Sequence, residues 1–337
     1  MSTTAAIGTP VLDVRNLAVE FPRGDGAVRP VRGVSFTLHR RQRLGIVGES
    51  GSGKSLTALS LMRLLPYPGR IAAGEVQLGG RELTELTERE MAHVRGGRIS
   101  LVYQDPMSSL NPVHTIGRQI VEAIRAHEDV SRKVARDRAI DLLGEVGLPS
   151  PARRFDSYPH QFSGGMRQRV MVAMAISAGP EVLIADEPTT ALDVTTQARI
   201  IDLLMRLVDE RELAVILITH DLGLAASFCD DVNVMYAGRI VEVSPVEQLF
   251  ARPAHPYAQA LLNAVCRIDE DVTKPIAAIP GQPPLPEQLP SGCPFHPRCP
   301  SAVDACPTEV PVMRRLPDGR AAECHLIGVG ASVAAAT

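Results

Sequence analysis

Apolar and polar residues alternate along 11–38, first in VLDVRNLAVEF and again, after a turn-rich segment, in VRGVSFTL. A period of two residues is typical of strands with one buried face, so this region is predicted to form antiparallel strands. The stretch AGEVQLGGREL at 73–83 has the same character and predicts another hairpin. We therefore expect an antiparallel β subdomain in the first part of the chain.

Four other apolar runs predict strands: RLGIVG (43–48) as a buried strand, RISLVY (98–103), and EVLIAD (181–186) and LAVILITH (213–220), the last two without alternation. Runs without alternation predict strands that are buried on both faces, as in parallel sheets. A predicted helix, SLTALSLMRLL, follows the first run, and another, QARIIDLLMRLVDER, lies between the last two. This alternation predicts an α/β fold with a mostly parallel sheet covered by helices.

Apolar residues recur at three- and four-residue spacing through the region 115–178, in TIGRQIVEAIRAH, SRKVARDRAIDLLGEVGL and GGMRQRVMVAMAIS. This spacing is typical of amphipathic helices. We therefore expect a helical subdomain at about 106–178, inserted between two strands of the sheet.

The character of the chain changes after about residue 260. The segment 275–290 contains six prolines, which predicts an extended tether instead of a helix or a central strand. A cysteine-containing stretch, SGCPFHPRCPSAVDAC, follows at 291–306. The last residues, GVGASVAAAT, are small and are expected to be disordered.

Composition limits the function classes. The chain has 337 residues, of which 45% are hydrophobic, enough for a large α/β domain with an appendage. Its net charge of −3 comes from mixed charges, so no basic surface argues for nucleic acid. No export signal and no apolar run of the ~20 residues needed to span a bilayer is evident. If the protein serves a membrane, we expect a peripheral subunit.

The segment GESGSGKS at 48–55 fits the pattern G-x-x-x-x-G-K-[ST], with a predicted strand before it and a predicted helix after it. In this motif the backbone N–H groups and the helix N-terminus bind phosphate oxygens. Lys54 is expected to reach the β- and γ-phosphates of ATP, and the Ser55 hydroxyl to ligate Mg²⁺. The predicted ATP-binding residues here are Gly48, Ser50, Gly51, Ser52, Gly53, Lys54, Ser55 and Leu56.

A second acidic element of such a site is expected at the end of a buried strand. VLIADE at 182–187 supplies two adjacent carboxylates. Asp186 is predicted to bind Mg²⁺ as an outer ligand, and Glu187 to activate the attacking water. Two carboxylates at a solvated strand end are an alternative, which the phosphate-binding pattern makes less favourable.

Four further motifs, YQD (103–105), FSGGMRQR (162–169), TTALD (189–193) and ITHD (218–221), occur in the order and approximate spacing of an ATP-binding-cassette (ABC) ATPase. The chain resembles that family from about residue 11 to 250. The resemblance implies that Gln104 is the Q-loop glutamine, which contacts metal or water and faces the membrane subunits. It also implies that Asp193 is the D-loop acid and that His220 is the switch histidine near the γ-phosphate.

The resemblance assigns Ser163, Gly164 and Gly165 to the family signature, with Phe162 and Met166 where Leu and Gln are commoner. Because this segment opens a predicted helix, its amides and the Ser163 hydroxyl form a second anion site. One chain cannot easily wrap that site around its own nucleotide. A head-to-tail partner could, so we expect each ATP to lie between two ATPase subunits, and hydrolysis to loosen the dimer.

Further stretches, LFARPAHPYAQALLNAV (249–265), QDPMSSLNP (104–112) and the cysteine region, resemble the peptide/nickel branch of these ATPases, most closely the subunits of dipeptide and oligopeptide permeases. The resemblance implies an ABC ATP-binding domain at 9–260 and a C-terminal extension at 261–337. It also implies an ATPase that powers uptake of di- or oligopeptides from the cytoplasmic face of the cell membrane.

The implied partners are a second, homologous ATPase chain, two membrane permease subunits and an extracytoplasmic substrate-binding protein. Import of nickel, haem or another small solute stays an alternative. A soluble cassette ATPase and a metal-sensing interaction protein are less favoured, because neither a second cassette nor a coiled-coil insert is present and the ATPase motifs are intact.

The cysteines near the C-terminus suggest a metal centre. Four thiolates in a short, loop-rich region suit zinc or an iron–sulfur cluster. The C-x-x-C pairs that are usual for zinc are absent, and the wider spacing favours a larger cluster. Some members of the resembled branch carry a 4Fe–4S cluster in this region. The predicted ligands are Cys293, Cys299, Cys306 and Cys324, with Zn²⁺ as the alternative metal and His296 or His325 as alternative ligands.

Free, reduced cysteines are a further possibility for these four. Because the proline-rich segment is expected to lack an apolar core, metal binding would have to supply its folding energy. Cys229 and Cys266 lie in helix-like stretches and are predicted to be core thiols. Phe21 is the best candidate for an aromatic ring that stacks on adenine.

Overall fold

The computed structural model describes residues 9–24, 26–103, 105, 109–190, 192–264 and 278–327. The chain forms two compact units, each discontinuous in sequence. Unit 1 comprises the described residues of 1–13, 37–43 and 76–218, and unit 2 those of 14–36, 44–75 and 219–337.

The strands of the described residues are β1 (Leu12–Arg23), β2 (Gly26–Leu38), β3 (Arg43–Val47), β4 (Arg70–Leu78), β5 (Arg81–Glu82), β6 (Ile99–Val102), β7 (Val182–Asp186), β8 (Ala214–Thr219), β9 (Asp231–Tyr236), β10 (Arg239–Pro245), β11 (Met313–Arg315) and β12 (Ala321–Glu323). The helices are α1 (Lys54–Leu61), α2 (Glu88–Val94), α3 (Ile116–His127), α4 (Arg132–Glu145), α5 (Pro151–Arg154), α6 (Gly164–Ile176), α7 (Val194–Arg211), α8 (Leu222–Phe228), α9 (Val246–Ala251) and α10 (Pro256–Asn263).

In unit 1, β6, β7 and β8 pair side by side in parallel. Every residue of β8 is buried, and so is every residue of β7 except the last. The apolar runs without alternation therefore form doubly covered parallel strands, as the sequence predicts.

The helices of unit 1 begin at residues with short oxygen-bearing side chains. Thr115, Ser131 and Ser163 each accept a hydrogen bond from a backbone N–H of the first turn of α3, α4 and α6. Such caps satisfy donors that the helix leaves open. These helices confirm the expected helical content of the region. Helix α2 was not predicted, although Thr87 and Glu90 form a capping box at its start.

Strand β1 lies between β2 and β4 in one sheet, and β4 pairs antiparallel with β5, which confirms the hairpin predicted at 73–83. The predicted helix at 55–65 is shorter in the structure, where α1 ends at Leu61. Arg63 then has a positive φ of 50°, which is incompatible with continuing the helix.

A second sheet in unit 2 contains strands that the sequence reading missed. Strand β3 pairs in parallel with β9, and β9 pairs antiparallel with β10. The C-terminal strand β12 pairs with β10, with Glu242 opposite Ala322. Strand β11 pairs with the other edge of β12. The segment after the prolines thus returns to a sheet that begins at residue 43.

The cysteine-containing segment has an apolar centre, and the expectation that it lacks a core is wrong. Phe295 is 1% exposed. Its ring meets the rings of Tyr236 and Tyr257 edge-on, with 5.3 Å between centroids in both cases. The two tyrosine rings lie 4.5 Å apart. The segment therefore gains apolar contacts by packing on distant residues of unit 2.

Among the described residues, none of the helices is long and apolar enough to span a membrane.

Candidate nucleotide-binding site

The phosphate-binding loop connects β3 to α1 in unit 2, and two of its glycines are required by their surroundings. A Cβ atom on Gly48 would lie 2.1 Å from the carbonyl oxygen of Met235. Gly53 has φ +104°, and a Cβ atom there would lie 2.6 Å from the Pro30 carbonyl oxygen. The loop is pressed against neighbouring backbone that leaves no space for side chains at these positions.

Two polar side chains of the loop are buried. Lys54 is 5% exposed, and its Nζ donates to the carbonyl oxygens of Gly48 at 2.8 Å and Glu49 at 2.9 Å. Ser52 Oγ is buried without a hydrogen-bond partner among the described residues. An orphaned hydroxyl and a lysine held on loop carbonyls fit a site whose missing partner is an anion.

The other predicted loop residues lie closer to solvent. Ser50, Gly51 and Ser55 are exposed, and Leu56 is half-buried. Ser55 is the second residue of α1, so its hydroxyl lies at the N-terminal end of the helix. An exposed hydroxyl there suits the predicted bond to Mg²⁺.

The predicted acidic pair lies in unit 1, where β7 ends at Asp186. Glu187 has a positive φ of 46°, a conformation that is costly for a non-glycine residue. Its N–H donates to the Ile218 carbonyl oxygen at 2.9 Å, and its Oε2 accepts from Thr190 Oγ1 at 2.9 Å. These two contacts fix the backbone and the carboxylate of Glu187 at the carboxyl end of the sheet.

The signature segment, also in unit 1, opens α6. Ser163 Oγ accepts from the N–H of Met166 at 3.4 Å. A Cβ atom on Gly165 would lie 2.3 Å from Cγ2 of Thr196, so α6 and α7 approach too closely for a side chain there. Gly164 is less confined, because its nearest neighbour would be Leu192 Cδ2 at 3.3 Å.

Asp193 caps the next helix. Its Oδ1 accepts from the N–H of Thr196 at 2.9 Å, and its Oδ2 from Thr196 Oγ1 at 2.8 Å. These hydrogen bonds hold the pKa of the Asp193 carboxyl below its usual value. The structure thus gives Asp193 a local structural role beside its predicted role at ATP.

His220 follows β8 directly and is exposed. The next residue, Asp221, caps α8 by accepting from the N–H of Leu224. Gln104 lies outside the described residues. The roles assigned to individual residues of the site stay predictions.

The four predicted cysteine ligands converge in unit 2. Together with His296 and His325 they line one small cavity. Three of these thiols are buried and that of Cys299 is half-buried. The N–H of Cys293 donates to the Cys306 carbonyl oxygen at 2.8 Å, which closes the loop between them. Residues separated by up to 31 positions in sequence are therefore brought together.

Burial raises the pKa of the Cys293 thiol to about 11 and also raises the pKa values of Cys299 and Cys324. These thiols stay protonated near neutral pH unless a positive charge is close. In the part of the chain that the structure describes, no group of three or more His, Cys, Asp or Glu has the arrangement of a metal-ion site. The metal centre therefore stays a prediction.

The alternative ligands are engaged with backbone. A ring nitrogen of His296 lies 2.9 Å from the Cys293 carbonyl oxygen, and one of His325 lies 2.9 Å from that of Glu309. Cys229 is 4% exposed, as predicted for a core thiol, whereas Cys266 lies outside the described residues. Phe21 is half-buried in β1, against Gly69.

The sequence reading missed residues that contact the phosphate loop from the C-terminal region. Arg298 forms two hydrogen bonds with the carboxylate of Glu49, and Tyr257 binds the Glu49 N–H. The sequence signal for these contacts was Glu49, an acidic residue at a variable position of the GESGSGKS motif. Its partners could not be predicted from it, because they lie more than 200 residues away in sequence.

Two family profiles match the chain. Residues 31–190 match ABC transporter, and residues 241–306 match the C-terminal region of oligopeptide/dipeptide transporters. The dipeptide transport ATP-binding protein DppD of Escherichia coli (strain K12) is 47% identical over 315 residues, covering 94% of this chain and 96% of that protein. The oligopeptide transport ATP-binding protein OppD of Salmonella typhimurium is 48% identical over 314 residues, covering 93% of each.

Solved structures agree with the fold. The dimeric ATP-binding cassette MJ0796, in a post-hydrolysis state with ADP and phosphate, superimposes with a TM-score of 0.63 and 26% identity, covering 70% of this chain and 98% of that one. The cassette cbiO1 of Clostridium perfringens gives a TM-score of 0.63 at 25% identity, covering 72% and 91%.

Fold and phosphate loop define an ATPase of the ATP-binding-cassette class, which confirms the predicted P-loop α/β fold. Within that class, the chain belongs to the ABC transporter ATP-binding proteins that carry the oligopeptide/dipeptide C-terminal region. The resemblance drawn from the motifs is thus confirmed.

Proposed function

We propose that this chain hydrolyses ATP to power the import of dipeptides or oligopeptides across the cytoplasmic membrane. The observation that carries the proposal is the combination, in one chain, of a complete phosphate-binding loop with the C-terminal region of peptide transporters. Relatives of nearly the same length have dipeptide and oligopeptide transport in their names.

In this proposal each half of the site has a defined task. Lys54 would bind the β- and γ-phosphates, and Ser55 would ligate Mg²⁺, with Asp186 as the predicted outer ligand; the metal would neutralise phosphate charge. Glu187 accepts a proton from the attacking water, and His220 binds the γ-phosphate. Two contacts support this role, because Ile218 fixes the backbone of Glu187 and Thr190 fixes its carboxylate.

We place the nucleotide between two cassettes. Ser163, Gly164 and Gly165 of one subunit face the phosphates bound to the other, with Asp193 nearby. For Gln104, which lies outside the described residues, we keep the Q-loop role that the resemblance implies. The dimeric state of MJ0796 with ADP and phosphate supports this arrangement. The second cassette is a homologous chain. Two permease subunits and an extracytoplasmic binding protein complete the transporter, and this chain lies peripherally on the cytoplasmic face of the membrane.

The proposal is tested by reconstituting the transporter in vesicles and measuring ATP-dependent uptake of a labelled dipeptide. Glu187→Gln should retain ATP binding, lose at least about 100-fold in turnover and accumulate the closed dimer. The matched control is Glu210→Gln, an exposed carboxylate in α7 that should behave as wild type. Turnover that survives Glu187→Gln would exclude Glu187 as the group that activates water. Uptake of nickel or haem in place of peptide would contradict the substrate.

We also propose that the four cysteines of the C-terminal cavity hold a 4Fe–4S cluster as a structural element. The donor atoms support this proposal. Four thiols line one cavity, and four cysteine thiolates are the usual ligands of an iron–sulfur cluster. The raised pKa values of Cys293, Cys299 and Cys324 mean that a positively charged metal would be needed to keep these three thiols ionised.

Metal content decides this point. Protein purified without oxygen should contain about four irons and four sulfides per chain. Cys306→Ser should lose most of the iron, whereas Cys229→Ser, a buried thiol outside the cavity, should keep it. One zinc per chain without iron would show that the site binds Zn²⁺ and not an iron–sulfur cluster. Protein without either metal would show that the four cysteines do not form a metal centre.

A further inference from the structure

The phosphate-binding loop contains an acidic residue, Glu49, whose negative charge phosphate binding does not explain. Glu49, the second residue of the loop, is half-buried. Arg298 NH1 donates to its Oε2 at 2.8 Å, and Arg298 NH2 donates to its Oε1 at 2.9 Å. This is a bidentate pair of the geometry that arginine and carboxylate favour.

The same residue connects to the loop backbone on both sides. The Glu49 N–H donates to the hydroxyl of Tyr257 at 2.9 Å, and its carbonyl oxygen accepts from Lys54 Nζ at 2.9 Å. The side chain, amide and carbonyl of one residue are thus bound by the C-terminal region and by the phosphate-binding lysine. A change in the Glu49 peptide would move an acceptor of Lys54.

Arg298 is itself held in one position. It is 7% exposed, its Nε donates to the Pro280 carbonyl oxygen at 2.9 Å, and its guanidinium lies 5.8 Å from the ring centre of Tyr236. The Glu49 carboxylate raises the pKa of the Arg298 guanidinium above its usual value. An arginine with this many fixed contacts presents its charge to Glu49 at little further entropic cost.

The charge of Glu49 matters because the ligand of this loop is itself negatively charged. The loop binds phosphates, which carry several negative charges, through backbone N–H groups and Lys54. A carboxylate on the same loop repels that ligand unless its charge is neutralised. Both Arg298 and Tyr257 lie within residues 241–306, the region matched by the oligopeptide/dipeptide transporter profile.

We propose that Arg298 is a positioning residue for ATP binding, which acts through Glu49 by neutralising the charge of its carboxylate on the phosphate-binding loop. The C-terminal region thereby contributes directly to the nucleotide site. This inference rests on ATP binding at the loop, as the proposed function states.

Binding of Mg-ATP to the full-length chain tests the inference. Arg298→Met should weaken ATP binding about tenfold, because it leaves an unpaired carboxylate beside the phosphates. Glu49→Gln alone should weaken binding less than Arg298→Met does, because it removes the repelling charge together with the ion pair. The double variant Arg298→Met/Glu49→Gln should recover most of the lost affinity, since the repelling charge is gone. A purely structural loss would not be restored by a second substitution.

The matched control is Arg320→Met, which removes another buried arginine of unit 2; that arginine pairs with Asp318 and donates to the Arg252 carbonyl oxygen. It should bind ATP as wild type does. If Arg298→Met does not fold, Arg298→Lys, which keeps the charge and loses the paired geometry, replaces it with an expected threefold loss. In the transporter, the effect should appear in the KM for ATP more than in kcat.

Unchanged ATP binding in Arg298→Met, or a loss that Glu49→Gln does not restore, would overturn the inference. Its failure is distinguishable from failure of the proposed function. ATP binding that survives Lys54→Ala would contradict the nucleotide site itself, whereas wild-type binding in Arg298→Met would contradict the role of Arg298 alone.

Discussion

Replacing Phe295 by alanine tests whether the cysteine-containing segment is stabilised by an apolar core. The ring is 1% exposed and lies 5.3 Å from the ring centres of both Tyr236 and Tyr257. Removal of a buried phenylalanine costs about 3–5 kcal/mol, of which each aromatic pair accounts for about 0.5–1.5 kcal/mol. We expect Phe295→Ala to lower the free energy of unfolding by about 4 kcal/mol.

The assay is urea unfolding of the full-length chain, combined with limited proteolysis of the segment 278–327. Phe250→Ala is the matched control, because it removes the same side chain from a position in α9 that is 37% exposed. The control should cost about 1 kcal/mol or less. Equal losses in the two variants would refute the reasoning, because the segment would then owe its order to something other than the packing of Phe295.

Two further predictions concern local packing and burial. Gly165→Ala should destabilise the protein by about 1–3 kcal/mol, because its Cβ atom would lie 2.3 Å from Thr196, whereas Gly144→Ala, with its nearest neighbour at 3.8 Å, should be neutral or stabilising; thermal unfolding distinguishes them. Burial lowers the pKa of His255 from 6.5 to about 4, and its Nδ1 accepts from the N–H of Tyr257. As the pH falls, the imidazole is protonated at a higher pH in the unfolded chain than in the folded chain. The free energy of unfolding should therefore decrease from pH 6.5 towards pH 4, by about 2 kcal/mol at pH 5. His255→Gln should lose this pH dependence in urea titrations. A wild-type stability that is flat over this range would contradict the buried, neutral state of His255.

Much of the fold was predictable because it depends on local patterns. The apolar run at 214–219 is buried along its whole length, and the helix around 116–127 starts at a threonine cap. Both signals lie within a few residues of the structure that they specify. The phosphate-binding loop could be predicted equally well, because its glycines and its lysine all lie within residues 48–54.

The missed elements depend on partners that are distant in sequence. Strand β12 has only three residues, and it exists because β10 offers it an edge about 80 residues earlier. A three-residue strand has no periodicity of its own to detect. The buried position of Phe295 has the same origin, because its neighbours are tyrosines of β9 and α10.

The sequence by itself determined the class of ATPase, the motif of the phosphate loop and the group of four cysteines, because each is encoded by residue type and short spacing. Only the tertiary structure decided that the cysteine segment packs on Tyr236 and Tyr257, and that Arg298 reaches the carboxylate of Glu49. The physical reason is that such contacts join residues 38 to 249 positions apart. Their stability comes from burial and charge pairing in the folded chain, which no local pattern records.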